Sequence, residues 1–290
     1  MIDKLKSQHA VPMLCKQLNV AVSGYQARAS GKPPSVRKQA DQRLLAHIRA
    51  AHERGRGIYG ALKIQTELRV NGITVGVNRI KRLRKQAGIK CIHKRKFRVT
   101  TDSKHKLPIA PNLLNRQFDQ TAPNQVWVAD MTYIPTDEGW LYLAAVKDLY
   151  TCEIVGWAMD SRMTKSLVCD ALRAAYWRKK PAIGLMHHSD RGSQYCSKAY
   201  RALQVSYKMQ TSMSGKGDCW DNAPMESFFG TLKTECLHHY KFKTRDEAKR
   251  VTFEYIEVFY NRIRRHAKIG NQVPTQFARS WQTQQRKNVA

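Results

Sequence analysis

The stretch His187-His188-Ser189-Asp190-Arg191-Gly192-Ser193-Gln194-Tyr195 is followed, after a polar glycine-bearing loop, by Asn222-Ala223-Pro224-Met225-Glu226-Ser227-Phe228-Phe229-Gly230-Thr231-Leu232-Lys233. The reading of these two pieces decides the fold. Each carries a carboxylate, Asp190 and Glu226. A third, Asp130, lies sixty residues before Asp190 in the apolar run Val126-Trp127-Val128-Ala129-Asp130-Met131-Thr132-Tyr133-Ile134.

Working outward, turn signals divide the surrounding chain. Val126–Ile134 reads as a strand, Asp137-Glu138-Gly139 as a hairpin turn and Trp140–Val146 as the next strand. Asp148-Leu149-Tyr150-Thr151 then turns into a third, Glu153–Met159. Helical spacing of Leu167, Val168, Ala171, Leu172 and Ala175 marks a helix over Lys165–Arg178. A fourth strand is expected at Ile183–His188, a helix at Ser197–Leu203, a short fifth strand at Tyr207–Thr211, and a helix from Glu226 to about Cys236. Three antiparallel strands, a helix, a parallel strand and further helices predict an α/β fold. Its core is ribonuclease-H-like, a five-stranded mixed sheet flanked by helices, preceded by an all-α helix-turn-helix region.

That order places the acids. Asp130 falls in the first, central strand, where an unpaired buried carboxylate is costly. Asp190 follows the end of the fourth strand, where open sheets bind ligands. Glu226 sits on a helix able to cross that end. Any one of them alone reads as a turn former or cap; together, in this order, they point to divalent metal. Converging carboxylates repel one another unless cations neutralise them. Two Mg²⁺ ions about 3.5–4 Å apart would do so and would clamp the attacking and leaving oxygens of a phosphoryl transfer. Such ions take carboxylates and substrate phosphate, so no thiol or imidazole need take part.

Charge narrows the partner. The chain has 290 residues with 51 Lys+Arg against 22 Asp+Glu, a net +29. Residues 1–110 hold 25 basic and 5 acidic side chains, and 111–290 hold 26 and 17. So basic a front faces a polyanion, and nucleic acid suits the mixed fold better than membrane. The seven scattered cysteines include no C-x-x-C pair, which favours reduced thiols over a disulfide framework or zinc ribbon. His238-His239 beside Cys236 fits none of the usual zinc spacings. Neither a membrane-spanning run nor a signal peptide is visible, so a cytoplasmic, nucleoid-associated protein is expected.

The front is helical. Val11–Leu18 and a second short helix capped by Ser23 form a short helical region over 1–35, readable as a helix-turn-helix remnant or as two packed helices. Helices over Val36–His52, Ala61–Leu68 and Val77–Ala87, the last capped by Thr74, make 36–92 a helix-turn-helix-like DNA-binding domain. Val77–Ala87 carries five bases and no acid, among them Arg79, Arg82 and Lys85. Residues 93–122 read as a basic linker across a phosphate backbone, with Lys94, Arg95 and Lys96 as contacts. The remainder, 123–290, is the catalytic core with its C-terminal helices.

These motifs resemble the second-reading-frame (OrfB) product of a large bacterial insertion-sequence transposase family with a retroviral-integrase-type (DDE) catalytic core. Carrying the resemblance are Trp127–Ile134, His188–Tyr195, Asp221–Phe229, Lys233 and Phe259-Tyr260-Asn261-Arg262-Ile263-Arg264-Arg265-His266. It implies that Asp130 bridges two metals, Asp190 binds one and Glu226 the other, with Mg²⁺ as the ion and Mn²⁺ as a substitute. Lys233, two helical turns from Glu226 and on its face, then resembles a phosphate contact. The implied reaction is cleavage at an insertion-sequence end followed by attack of the freed 3′-OH on target DNA. The implied partners are double-stranded DNA (terminal inverted repeats and target), further copies of the chain on that DNA, and the upstream-frame OrfA product, joined by frameshifting. A structure-specific nuclease or a DNA-binding repressor would share parts of this pattern.

Overall fold

The structure is a computed structural model that describes residues 1–30, 35–92, 108–215 and 218–289. The front is helical, as its spacing predicts. Short helices α1 (Ile2–Leu5), α2 (Val11–Gln17) and α3 (Val22–Ala29) enclose a small cluster of Ile2, Leu14 and Cys15. Ser23 lies inside α3 rather than capping it, because the helix already begins at Val22.

Next come α4 (Val36–Arg54), α5 (Ala61–Val70) and α6 (Val77–Gln86). Ser35 caps α4 by accepting the Lys38 N–H, and Arg56 and Gly57, both at positive φ, turn the chain away at its end. Ile48, Tyr59, Ile64 and Ile80 are fully buried between the three helices. Thr74 does not cap α6. The preceding backbone stays extended through Gly76, and the Gln65 amide fixes it by donating to the Val75 carbonyl at 2.8 Å.

The core sheet has the strand order β3-β2-β1-β4-β5. Its strands are β1 (Val126–Thr136), β2 (Gly139–Asp148), β3 (Ile154–Asp160), β4 (Met186–Ser189) and β5 (Gln210–Met213). The first three pair antiparallel, while β4 runs parallel to both β1 and β5. Gly139 (φ +100°) closes the β1–β2 hairpin at an angle that a side chain resists. The fifth strand falls three residues later than its pattern suggests. Residues 207–208 finish helix α8 (Lys198–Ser206) instead, with Lys208 at φ +53° and the Tyr207 ring stacked 3.6 Å from that of Tyr176.

Alternation along β1 splits the core in two. Trp127 and Ala129 face α7 (Lys165–Lys179), while Val126, Val128 and Ile134 face α9 (Ala223–Glu235), whose Met225, Phe228 and Leu232 are wholly buried. Burying Phe228 alone contributes about 2 kcal/mol. Helix α7 lies directly on β3: a Cβ on Gly156 would come within 2.4 Å of the Ala171 carbonyl.

After α9, helix α10 (Arg245–Phe253) runs straight into a π-helical segment, Glu254–Tyr260, and α11 (Pro274–Val289) ends the described chain. Asn261 uses its amide as a piece of strand. It accepts the Ile154 N–H at 2.9 Å and donates to the Ile154 carbonyl at 3.0 Å, beside the bulge where β2 and β3 shift register. The next residues dock the helical front on the core. Tyr59 Oη accepts the Arg265 N–H (3.0 Å) and donates to the Ile263 carbonyl (3.2 Å). Glu67 accepts from Arg265 (2.6 Å) and Arg54 (2.7 Å), and Arg56 pairs with Glu254 while lying 4.4 Å over the Phe259 ring.

Candidate active site

The register of the parallel pair brings two of the acids together. Ala129 on β1 stands opposite Ser189 on β4, so the next residues on the two strands are Asp130 and Asp190. Asp130 belongs to the face of β1 that α9 covers, and Glu226 lies in the first turn of that helix. The Asp130 carboxylate accepts the Met131 N–H at 2.7 Å, and Asp190 accepts the Gly192 N–H at 2.9 Å.

Burial holds the Asp130 carboxyl well above the usual carboxylate range. Neighbouring Asp190 adds to this, as does Glu226 more weakly, against the Met131 N–H and Lys233. Burial also raises Glu226. Among the described residues, no three His, Cys, Asp or Glu side chains stand together as a ready metal cage. The arrangement is instead a close pair with a third carboxylate on the facing helix. The neighbouring imidazoles are committed elsewhere. His187 bonds Tyr200 and Gln204, His188 bonds Ser212 and Ser214, and burial lowers them to about 3 and about 4, so both are neutral. An all-carboxylate set in which Asp130 and Glu226 are pushed upward fits a hard, oxygen-seeking dication.

Helix α9 is held in place by two side chains whose role the motif alone does not reveal. Asn222 does not cap α9; its amide donates to the Ala129 carbonyl at 3.1 Å, tying the helix start to β1 one residue from Asp130. Asp221 accepts from Gly215 (2.7 Å), Asn112 (2.8 Å) and Arg116 (2.9 Å), fixing the loop before the helix. The hydroxyl of Tyr195, buried in the electrostatic reach of Asp130 and Asp190, has no hydrogen-bond partner among the described residues.

The matching family models agree with this architecture. Residues 120–219 match the Integrase core domain family, residues 226–280 a second family described by the same words, and residues 39–97 the HTH-like domain. Among solved structures, the simian T-cell lymphotropic virus intasome in complex with PP2A regulatory subunit B56 gamma is 15% identical, with a TM-score of 0.46, over 74% of this chain and 70% of that one. The catalytic core domain of BIV integrase is 14% identical, with a TM-score of 0.43, over 56% of this chain and 98% of that one. The insertion element IS600 uncharacterized 31 kDa protein of Shigella sonnei is 57% identical over 91% of this chain and 97% of its own. Transposase InsF for insertion sequence IS3A of Escherichia coli (strain K12) is 40% identical over 95% and 96%. This chain belongs to the IS3 insertion-sequence transposase family, as its second-reading-frame (OrfB) type.

The transposase is thus a polynucleotidyl-transferase type of enzyme with an integrase core. Its remaining expected site residues are spread along the molecule. Lys233 sits on α9 two turns beyond Glu226, its Nζ 5.0 Å from the centre of the Tyr133 ring, and burial lowers it. Arg79 and Arg82 project from α6 but both bind Asp41 of α4, at 2.7 and 2.6 Å, while Lys85 is exposed. Lys94, Arg95 and Lys96 lie outside the described residues. Of the His238-His239 pair, His239 meets the Thr234 carbonyl at 2.8 Å. No helix among the described residues is long and apolar enough to cross a membrane.

Proposed function

We propose that this transposase cleaves DNA at the ends of an insertion sequence and joins the freed 3′-OH to target DNA. The observation that carries the reading is the β1–β4 register, which sets Asp130 beside Asp190 beneath the helix that bears Glu226. Asp130, Asp190 and Glu226 would hold Mg²⁺, with Mn²⁺ as a substitute and two ions per site, supplying Lewis-acid stabilisation to the attacking and leaving oxygens.

The chain's own groups do the rest. Asp130, raised by burial and by its acid neighbours, and Glu226, raised by burial, would give up their residual proton affinity to a bound cation. Lys233, on the Glu226 face of α9, contacts a phosphate flanking the cut. The Asn222–Ala129 bond keeps Glu226 registered against Asp130. Water or a 3′-OH attacks phosphorus directly, so no covalent enzyme intermediate forms.

In this reading, α6 and the segment with Lys94, Arg95 and Lys96 bind terminal-repeat DNA, while 123–290 carries the chemistry. Two ends require at least two copies of the chain, and the upstream-frame OrfA product supplies further DNA contacts. The test is incubation with terminal-repeat duplexes and target DNA, with and without Mg²⁺. Mg²⁺-dependent 3′-end cleavage and joining are expected. Cleavage indifferent to the repeats would mean a structure-specific nuclease, and end binding without cleavage a repressor.

A further inference from the structure

A cavity of about 440 Å³ opens on the side of α9 away from the acids, between the helical front and the sheet. Pro224, Ser227 and Thr231 line it at helical spacing, whereas Glu226 and Lys233 point roughly 180° away. The cavity is therefore separate from the acid site. Around it stand Lys63 of α5, Lys147 of β2, and Arg264 and Lys268 from the segment after the π-helix.

The balance of charge in this cavity is one-sided. Lys147 is only 7% exposed, and its Nζ donates to the Pro224 carbonyl at 3.2 Å. Lys63 lies over the Tyr59 ring at 5.5 Å. Among the described residues neither lysine makes an ion pair with a carboxylate. Lys268 donates to the Phe118 carbonyl at 2.6 Å and, among the described residues, pairs with the fully exposed Asp119, 3.5 Å away. Arg264 is neutralised by two hydrogen bonds to Glu235.

His266 is held well below its usual value, by burial first and then by Arg264, Lys147 and Lys63. Burial, with Arg264, lowers Lys63 to about 8. Buried ammonium groups without a counter-charge are costly. Converging lysines beside the hydroxyls of Ser227 and Thr231 form a donor set suited to a tetrahedral oxyanion.

We infer that this cavity is a phosphate-binding site, independent of the three acids and of the reaction assigned to them. The phosphate is either free inorganic phosphate or a backbone phosphate of bound DNA. Because its ligands come from the helical front (Lys63), the sheet (Lys147) and the C-terminal segment (Lys268), the anion fastens the three together.

The test uses the full chain, with melting temperature recorded against sodium phosphate and against sodium chloride at equal ionic strength. Phosphate should raise the Tm of the wild type saturably, and chloride should not. Lys63→Gln and Lys268→Gln, at half-buried and exposed positions, should each weaken phosphate affinity about tenfold. Glu226→Gln, on the other face of α9, should keep the full shift.

A second arm measures duplex DNA affinity against salt. A backbone phosphate in the cavity predicts competition by inorganic phosphate and a salt slope smaller by about one in Lys63→Gln. Free phosphate as the ligand predicts an unchanged slope with the thermal shift intact. Equal melting temperatures in phosphate and chloride, together with an unchanged slope, overturn the proposal. Neither result depends on whether strands are cut or joined.

Discussion

Two sets of carboxylates in this molecule live under opposite conditions. Glu67 and Glu235 are each gripped by arginine: Glu67 by Arg54 and Arg265, Glu235 by Arg264 with the Tyr255 hydroxyl. Burial alone would raise Glu67, but the two arginines outweigh it and hold its carboxyl below the usual range. Asp130 and Glu226 are raised, and the charge beside Asp130 is chiefly another acid. Glu67 uses its charge to hold the front to the core, and Glu235 uses its own to hold α9 to the π-helical segment and the residues after it. The second keeps its carboxyls raised and without an arginine partner, at a cost in stability.

The largest effect expected from breaking that contrast is on chemistry. Asp130→Ala, Asp190→Ala and Glu226→Ala should each abolish cleavage and joining while gel-shift binding to ends stays nearly intact. None should lower the melting temperature of the metal-free protein, because each removes like-charge repulsion. A variant that keeps wild-type strand transfer removes that residue from the site.

Next in size is a loss of stability at the arginine-bound set. Glu67→Gln leaves the Arg265 guanidinium, 8% exposed, without its counter-charge, and should cost about 3 kcal/mol in urea unfolding. The two sets should also respond to pH with opposite sign. The folded carboxyl of Glu67 is depressed, so its contribution is present above the ordinary carboxylate value and is lost as pH falls through the folded one. The folded carboxyl of Asp130 is raised. Its contribution is present below the ordinary value and is lost as pH rises through the folded one. Between pH 4 and pH 7, in chelator, the Tm advantage of wild type over Glu67→Gln should therefore widen, while that over Asp130→Asn should shrink or reverse. Parallel trends would mean that the two sites do not differ as described.

The smallest effect separates bound from unbound bases on the front. Lys85→Glu should weaken end binding and lower its salt slope by about one, whereas Lys287→Glu should do neither. Arg82→Glu should act less than Lys85→Glu on binding, because Arg82 is already engaged by Asp41. Equal effects of all three reversals would make α6 merely a solvated surface.

The core was legible wherever local chemistry decides structure. Gly139 announces its hairpin, turn signals bracket β1 and β2, and apolar spacing announces α7. The three acids could be placed on their elements because each lies in or beside such a pattern. Other features depend on partners far away in sequence. Asn222 stands just before the Glu226 helix, a place where an asparagine often caps, yet it ends a 3₁₀ turn and its amide reaches Ala129, 93 positions back. The Tyr59–Arg265 and Glu67–Arg265 contacts join positions about 200 apart, and a tyrosine, a glutamate and an arginine carry no local sign of such a meeting. The fifth strand slid because Tyr207 has high strand propensity but finds a ring to stack on at the end of α8.

The pairing of Ala129 with Ser189 also sets the order of events when the chain folds. The β1–β2 hairpin closes over a two-residue turn and forms early, carrying Asp130 alone. Asp190 arrives only after β2, β3 and α7 have been threaded, and a parallel pairing across that many residues bears a large loop-closure cost and forms late. Glu226 comes later still along the chain. A partly made protein therefore holds one of the three acids. The full set of carboxylates comes together only in the last assembly steps, so whatever chemistry needs all three waits until the core is whole.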